Sequence, residues 1–431
     1  VSDLSKLTAL VRDGGSFIGV ARRLAKDFGR VLYAPTYRQN NPDFNEYILG
    51  DGCGDIEHCP DLWLAKEEVD VFVFCDVGFE GEQAELRDQG YYVWGGGPAM
   101  MLETDREFFL NKLEELGLDV PQYEIIVGTT ALRAFLKDRE DIFIKVSKFR
   151  RSWETYHWRS LAQDGHMLPY WEVKFGGKRE TIRFLCFDKI ETTLEIGGDT
   201  YNVAGQWPQM MSHGLEAKDE ALFSAITKRP EMPEELTHIM DAFTPFLTKC
   251  GGANQMSFEV RVTDIEAFWI DSTNRGGLPS TASFLKAKNV SEVIYAGAQG
   301  ELVEIDYGFK FSAECMVKIK SADGVWGTIV LPDELKDEVL LADYCEEDGQ
   351  PWFPADDAAI CEVGWLVATG DTPTEVAKRM NELADLLPDG ADASVEALAE
   401  IIREIESEHE QGIKFTDQPL PDPEIVLAPS K

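Results

Sequence analysis

The chain has 431 residues, 44% hydrophobic and 28% charged, a globular composition too long for one ordinary core, so two to four packed domains are expected. Its 78 acidic and 41 basic residues leave a formal charge of −37, and a surface of that sign repels phosphate backbones, which disfavours a nucleic-acid partner. No apolar run reaches the roughly eighteen residues of a membrane span, Val1 to Leu7 lack a signal-peptide pattern, and the eight cysteines contain no Cys-x-x-Cys pair, so a cytoplasmic protein with reduced thiols is expected. The six histidines are dispersed, which argues against a histidine metal cluster. The acidity reads as a device for solubility, with recognition of a basic partner as the alternative.

In chain order, Leu7–Val11 reads as a strand, Asp13–Ser16 as a tight turn, and Ile18–Phe28 as a helix spaced by Val20, Leu24 and Phe28. Arg30–Ala34 is a second strand, and Asp70–Cys75 is a continuous apolar run of the kind buried on both faces of a parallel sheet. A helix over Gly81–Gln89 and a strand over Tyr91–Trp94 follow, stopped by Gly95-Gly96-Gly97-Pro98. This alternation predicts a doubly wound parallel-sheet domain over residues 1–104. Glu103–Leu116 is an amphipathic helix, followed by strands at Tyr123–Val127, Ile142–Val146, Ile182–Phe187 and Thr200–Val203 and a helix over Glu234–Cys250. Strands at Gln255–Val262 and Ala267–Asp271 complete an α+β nucleotide-binding domain over 105–290. The remainder, 291–431, is read as an α+β domain with a Pro-rich tail. It has strands near Val293–Tyr295, Met316–Ile319 and Ala359–Ala368 and helices over Thr374–Leu387 and Ser394–Glu410, the first opened by Thr372-Pro373-Thr374-Glu375.

Three segments carry candidate chemistry. Glu259 lies on one strand and Asp271 at the end of the next, so a turn between them would bring two carboxylates to one region. Hard cations such as Mg²⁺ rely on one or two carboxylates plus substrate phosphates. Thr273 or Asn274 could add a neutral oxygen, and Arg275 offers a planar fork for phosphate oxygens. Gly276-Gly277 lets the backbone pass close to a ligand, and Pro279 fixes the exit. The plain alternative is a polar turn with surface acids. Lys145 closes an apolar strand, either as a surface edge or as a point charge for nucleotide phosphates, with Lys148, Arg150 and Arg151 just beyond. Finally, the stretch from Cys186 through Asp188, Glu191, Glu195 and Asp199 fits either a hinge reading adenine and ribose or an ordinary exposed hairpin.

The order of these parts resembles the ATP-grasp superfamily, and within it the phosphoribosylamine–glycine ligases. Leu10–Gly15, with Gly14 and Gly15, looks like that family's N-terminal glycine turn, and Pro98–Glu103 like its G-P-x-x-x-x-L-E run. Ile142–Lys145 is similar to the strand whose lysine touches ATP phosphate. Asp271, Arg275, Gly277 and Pro279 fit the spacing E-x-N-x-R-x-G-x-P, and Gly370–Val376 is similar to G-D-T-x-x-E-A. The resemblance implies an ATP-grasp fold and an ADP-forming, ATP- and Mg²⁺- (or Mn²⁺-) dependent ligase joining a small-molecule carboxylate to an amine through an acyl phosphate. It assigns Lys145 and Arg275 to catalysis, Lys145, Lys148, Asp188, Glu191 and Glu195 to nucleotide, Glu259, Asp271, Thr273 and Asn274 to metal, and Gly14, Gly15 and Arg275 to substrate. It leaves homo-oligomer formation open. The chain departs from the family at several places, one of them Asp271 where the metal motif has glutamate. Ser16-Phe17-Ile18 replaces Arg-Glu-His, the loop Phe149–Thr155 replaces a Gly/Lys-rich one, and Thr273 stands at the asparagine position with Asn274 one step late. These departures put the sugar-phosphate substrate in doubt. They leave an ATP-grasp ligase for another acid, or a non-catalytic ATP-grasp-derived binding protein, as alternatives.

Overall fold

The computed structural model describes residues 3–36, 49–148, 155–192, 194–356 and 358–424. The chain forms two compact bodies, one built from 1–99, 196–258 and 273–431, the other from 100–195 and 259–272.

The described residues among the first 99 hold a parallel sheet. Its strands are β1 (Thr8–Asp13), β2 (Arg30–Pro35), β3 (Glu57–His58), β4 (Val71–Phe74) and β5 (Tyr92–Trp94), paired in the order β3-β2-β1-β4-β5. Both faces are buried. Ala9, Val11, Val31, Tyr33, Val71 and Val73 join one apolar cluster, and the alternating Leu10, Leu32, Phe72 and Phe74 join another. That is why Asp70–Cys75 reads as an unbroken apolar run. The intervening helices are α1 (Ile18–Leu24), α2 (Leu62–Ala65) and α3 (Glu80–Asp88). The strand order reverses between β1 and β4, the position where doubly wound sheets bind ligands at their carboxyl ends.

The smaller body opens with α4 (Met101–Thr104) and α5 (Arg106–Glu115). The single helix expected over Glu103–Leu116 is interrupted at Asp105, whose extended backbone (φ −132°, ψ 95°) makes it an N-cap, its side chain accepting from Phe108 N at 3.2 Å. Then come β6 (Tyr123–Val127), α6 (Thr129–Leu136), β7 (Ile142–Val146), β8 (Thr155–Trp158), α7 (Leu161–Asp164), α8 (Met167–Phe175) and β9 (Arg183–Asp188). The sheet order is β6-β9-β7-β8, antiparallel throughout. Leu132, Ile142, Ile144, Trp158, Trp171 and Phe184 fill its core.

Beyond lie β10 (Glu195–Val203), β11 (Met210–Ala217), β12 (Ala221–Lys228), α9 (Glu234–Cys250), β13 (Ala253–Val262) and β14 (Ala267–Thr273). Gly251 ends α9 in the left-handed region at φ 68°, where a Cβ would be strained. After α10 (Thr281–Phe284) and α11 (Val290–Ala298) come β15 (Phe311–Lys320), β16 (Trp326–Thr328), β17 (Val339–Leu341), β18 (Cys345–Glu347), β19 (Gln350–Pro354) and β20 (Ile360–Gly370). The chain continues through α12 (Pro373–Ala384), β21 (Ala391–Ala393) and α13 (Val395–Glu410). The large sheet runs β14-β13-β10-β11-β12-β15-β20-β17, with β21 on β15; a small sheet runs β16-β19-β18.

The expected strand at Val293–Tyr295 is instead the middle of α11. Its β-branched residues misled the local reading; Val290, Val293, Ile294 and Gly297 are buried at helical spacing, and Gly297 lies so close to Trp94 that an added Cβ would meet the indole at 2.5 Å. The start signal at Thr372 does open a helix: its side chain accepts from Glu375 N at 3.1 Å. None of the eight cysteines forms a disulfide. Among the described residues, no helix is long and apolar enough to cross a membrane.

Candidate active site

In the smaller body, β7 alternates so that Ile142, Ile144 and Val146 enter the core while Lys145 takes the opposite face. The Lys145 ammonium donates to the Ile270 carbonyl at 3.0 Å and lies 3.7 Å from Asp271 Oδ2, so β7 and β14 bring together the lysine and the acid singled out in the sequence. On β13, Glu259 and Arg261 share a face by the two-residue repeat. Arg261 pairs with Glu195, the first residue of β10, at 2.5 Å. Glu259 stays open to solvent on one side but is crowded by protein on the others. That crowding raises its pKa, as do the charges of Glu195 and Asp271, while Lys145 opposes them. Three carboxylates therefore share a space with two cations. Arg261 escaped sequence reasoning, although its alternation with Glu259 on an extended strand was a usable signal.

The other nucleotide candidates are not drawn into this group. Lys148 is exposed and pairs with Asp105 at 3.2 Å. Asp188 and Glu191 are exposed; Asp188 is in register with Ile142, whereas Lys145 faces Leu185. Three residues of strand place Asp188 roughly 10 Å along from the lysine. Arg150, Arg151 and the rest of 149–154 lie outside the described residues.

The larger body holds the rest of the Asp271–Pro279 segment. Thr273 is half-buried at the end of β14, and Asn274 is fully buried. Arg275 donates to its neighbour's carbonyl, Gly276 O, at 2.9 Å and lies 3.8 Å from Asp76, just past the end of β4. Gly276 N donates to Cys75 O at 3.1 Å, which places this turn over the carboxyl end of β4. Gly276 and Gly277 are required by space: an added Cβ would meet Phe17 at 2.7 Å in the first case and Ser280 Oγ at 2.5 Å in the second. The peptide Leu278–Pro279 is cis. At the end of β1, Gly15 has φ 115°, Ser16 donates to Asp343 at 2.9 Å, and Phe17 N donates to Asp13 at 2.5 Å. Burial pushes Asp13 up to about 6, with Asp76 and Asp343 adding to it. Phe17 and Ile18, which stand where the family carries polar residues, are 3% and 0% exposed and belong to the core.

Among the described residues, no group of three or more His, Cys, Asp or Glu side chains is arranged as a ready-made metal cage. Carboxylates crowded together, with Glu259 raised in proton affinity by its neighbours, instead suit a hard cation that completes its shell with substrate phosphates.

No family model matches the chain, and no curated protein matches it. Solved structures do, and they define the class: the chain has the ATP-grasp fold. The phosphoribosylamine–glycine ligase of Thermotoga maritima superposes with a TM-score of 0.65 at 14% identity, covering 90% of this chain and 99% of that one. The biotin carboxylase of Campylobacter jejuni, solved with a β,γ-ATP compound, gives 0.62 at 12% identity over 91% and 94%. The biotin carboxylase domain of 2-oxoglutarate carboxylase from Hydrogenobacter thermophilus, solved with MgADP and bicarbonate, gives 0.62 at 12% over 95% and 96%.

Proposed function

We propose that this chain is an ATP- and Mg²⁺-dependent ligase that joins a carboxylate to an amine with release of ADP. The observation that carries the reading is the grouping of Lys145, Asp271, Glu259 and Glu195 on strands of an ATP-grasp fold. In this reading Lys145 holds an ATP phosphate, and Glu259 and Asp271 hold the divalent cation together with phosphate oxygens. The cation supplies charge neutralisation, which a carboxylate needs because it and ATP are both anionic. Arg275 has the planar fork suited to an acyl phosphate, from which the amine displaces phosphate. No protein nucleophile is required.

The amine substrate differs from the sugar-phosphate amine of phosphoribosylamine–glycine ligases. Burial of Phe17 and Ile18 in the core favours this, since neither side chain can contact a sugar phosphate. Asp271→Ala is expected to lower ADP formation about 100-fold or more while the fold persists by circular dichroism. Wild-type turnover in that variant would remove Asp271, and with it the metal assignment.

A further inference from the structure

Arg275 sits on a turn with two adjacent glycines, a sequence that is flexible unless held. One hold is the hydrogen bond from Gly276 N to Cys75 O. The other is made of side chains. Asp199 on β10 accepts a hydrogen bond from Ser257 Oγ on β13 and lies beside the hydroxyl of Ser280, the residue just before α10, which favours its anionic form. Gly277 passes directly over this trio: a Cβ placed on it would lie 2.5 Å from Ser280 Oγ, 2.7 Å from Ser257 Oγ and 3.4 Å from Asp199 Oδ1. Ser280 stands at the far end of the turn, where Thr281 N donates to Gly277 O at 2.8 Å and Ala282 N to Pro279 O at 2.8 Å. Behind it, Ser283 Oγ donates to Ser280 O at 3.2 Å, and Ser283 and Ser312 face the fully buried Glu314 on β15.

Among the described residues no cation pairs with Asp199; the hydroxyls beside it are Ser257 of β13 and Ser280 at the far end of the turn, the same two that Gly277 passes over. A half-buried carboxylate with no cation partner is costly to keep, and a stabilising role alone would be served as well by an apolar contact. We infer that Asp199 is a positioning residue: through Ser257 and Ser280 it fixes the Arg275–Pro279 turn, and so sets where the Arg275 guanidinium stands. The inference rests on the ligase reading for its purpose but not for its geometry.

The test is amide hydrogen exchange across 272–284 in the full-length protein, alongside ATP calorimetry and ADP release. Asp199→Ala is expected to speed exchange at Gly276, Thr281 and Ala282 about tenfold or more, while amides of β11 and β12 keep wild-type rates. Asp199→Asn, which still offers an acceptor oxygen, is expected to stay within about twofold of wild type. In ADP-forming assays Asp199→Ala lowers kcat about tenfold or more at unchanged KM for ATP, again with rescue by Asn. Should Asp199→Ala fail to fold, Ser280→Ala probes the same hold and is expected to loosen the same three amides. Wild-type exchange in Asp199→Ala or Ser280→Ala, or equal loosening in β11 and β12, overturns the inference. Absence of ATP binding by the wild-type protein counts against the ligase reading and leaves the exchange result standing.

Discussion

Glu314 lies in the middle of the large sheet, paired on one side with Leu222 and on the other with Val367. Complete burial pushes its carboxyl up to about 8, with Asp199 adding to the effect and the Ser283 and Ser312 hydroxyls only partly opposing it. The folded chain therefore holds a proton that the unfolded chain releases near the ordinary carboxylate range. The resulting stabilisation is complete below about 4.5 and is lost as the pH climbs through about 8. Glu314→Gln, which mimics the protonated acid, is expected to match the wild-type melting temperature at pH 5 and to exceed it by several degrees at pH 8.5. Equal melting temperatures at both pH values would show that Glu314 ionises without penalty. Glu314 carries no signal in the sequence, because a lone acid in an apolar strand looks like a solvent-facing residue until the other strands are placed; Asp199 stands out only as one acid of a hinge or hairpin, and its place beside Ser257 comes from the structure. Asp271, Arg275, Gly277 and Pro279 were legible, since their spacing is local. The proximity of Lys145 to Asp271, at 3.7 Å, comes from the structure alone, because the two stand far apart in the chain and on different strands.

Among the elements, α4 and α5 show a boundary set by one side chain. Asp105 turns the backbone out of the helix and caps the next one, besides pairing with Lys148. Asp105→Ala is expected to cost about 1 kcal/mol, seen as a fall of roughly 2–4 °C in the melting of the smaller body. An unchanged melting temperature would mean that the cap is replaced by water or a neighbour. The sequence concealed this break because Leu102, Phe109, Leu110 and Leu113 are buried on both sides of it and maintain one apolar stripe. The opposite error occurred at α11, where Val290, Val293 and Ile294 have strand preference but helical burial. The continuous run of β4 was read correctly because burial on both faces leaves an unmistakable apolar block. The β11–β12 hairpin, in register from Met210↔Lys228 to Ala217↔Ala221, was missed. Both its faces are largely buried, so it lacks the alternation that marks a half-exposed strand.

For the whole molecule, order along the chain was the strongest signal. A parallel-sheet opening, a lysine-bearing strand and a later acid-rich strand pair recur together in the ATP-grasp fold, although no single motif matches closely. The chain crosses between its two bodies four times, after residues 99, 195, 258 and 272. Such a division is invisible to a reading that proceeds in contiguous segments. Identity of 12–14% to the solved structures leaves the fold intact and the chemistry to experiment. The decisive measurement is ADP release by the full-length protein with Mg-ATP and a panel of carboxylates and amines, supplied singly and in pairs. The ligase account predicts ADP formation that requires one particular acid and one amine together, and that is lost in Asp271→Ala. ATP binding with no ADP release from any pair in a broad panel would contradict it and mark the chain as a binding protein built on this fold.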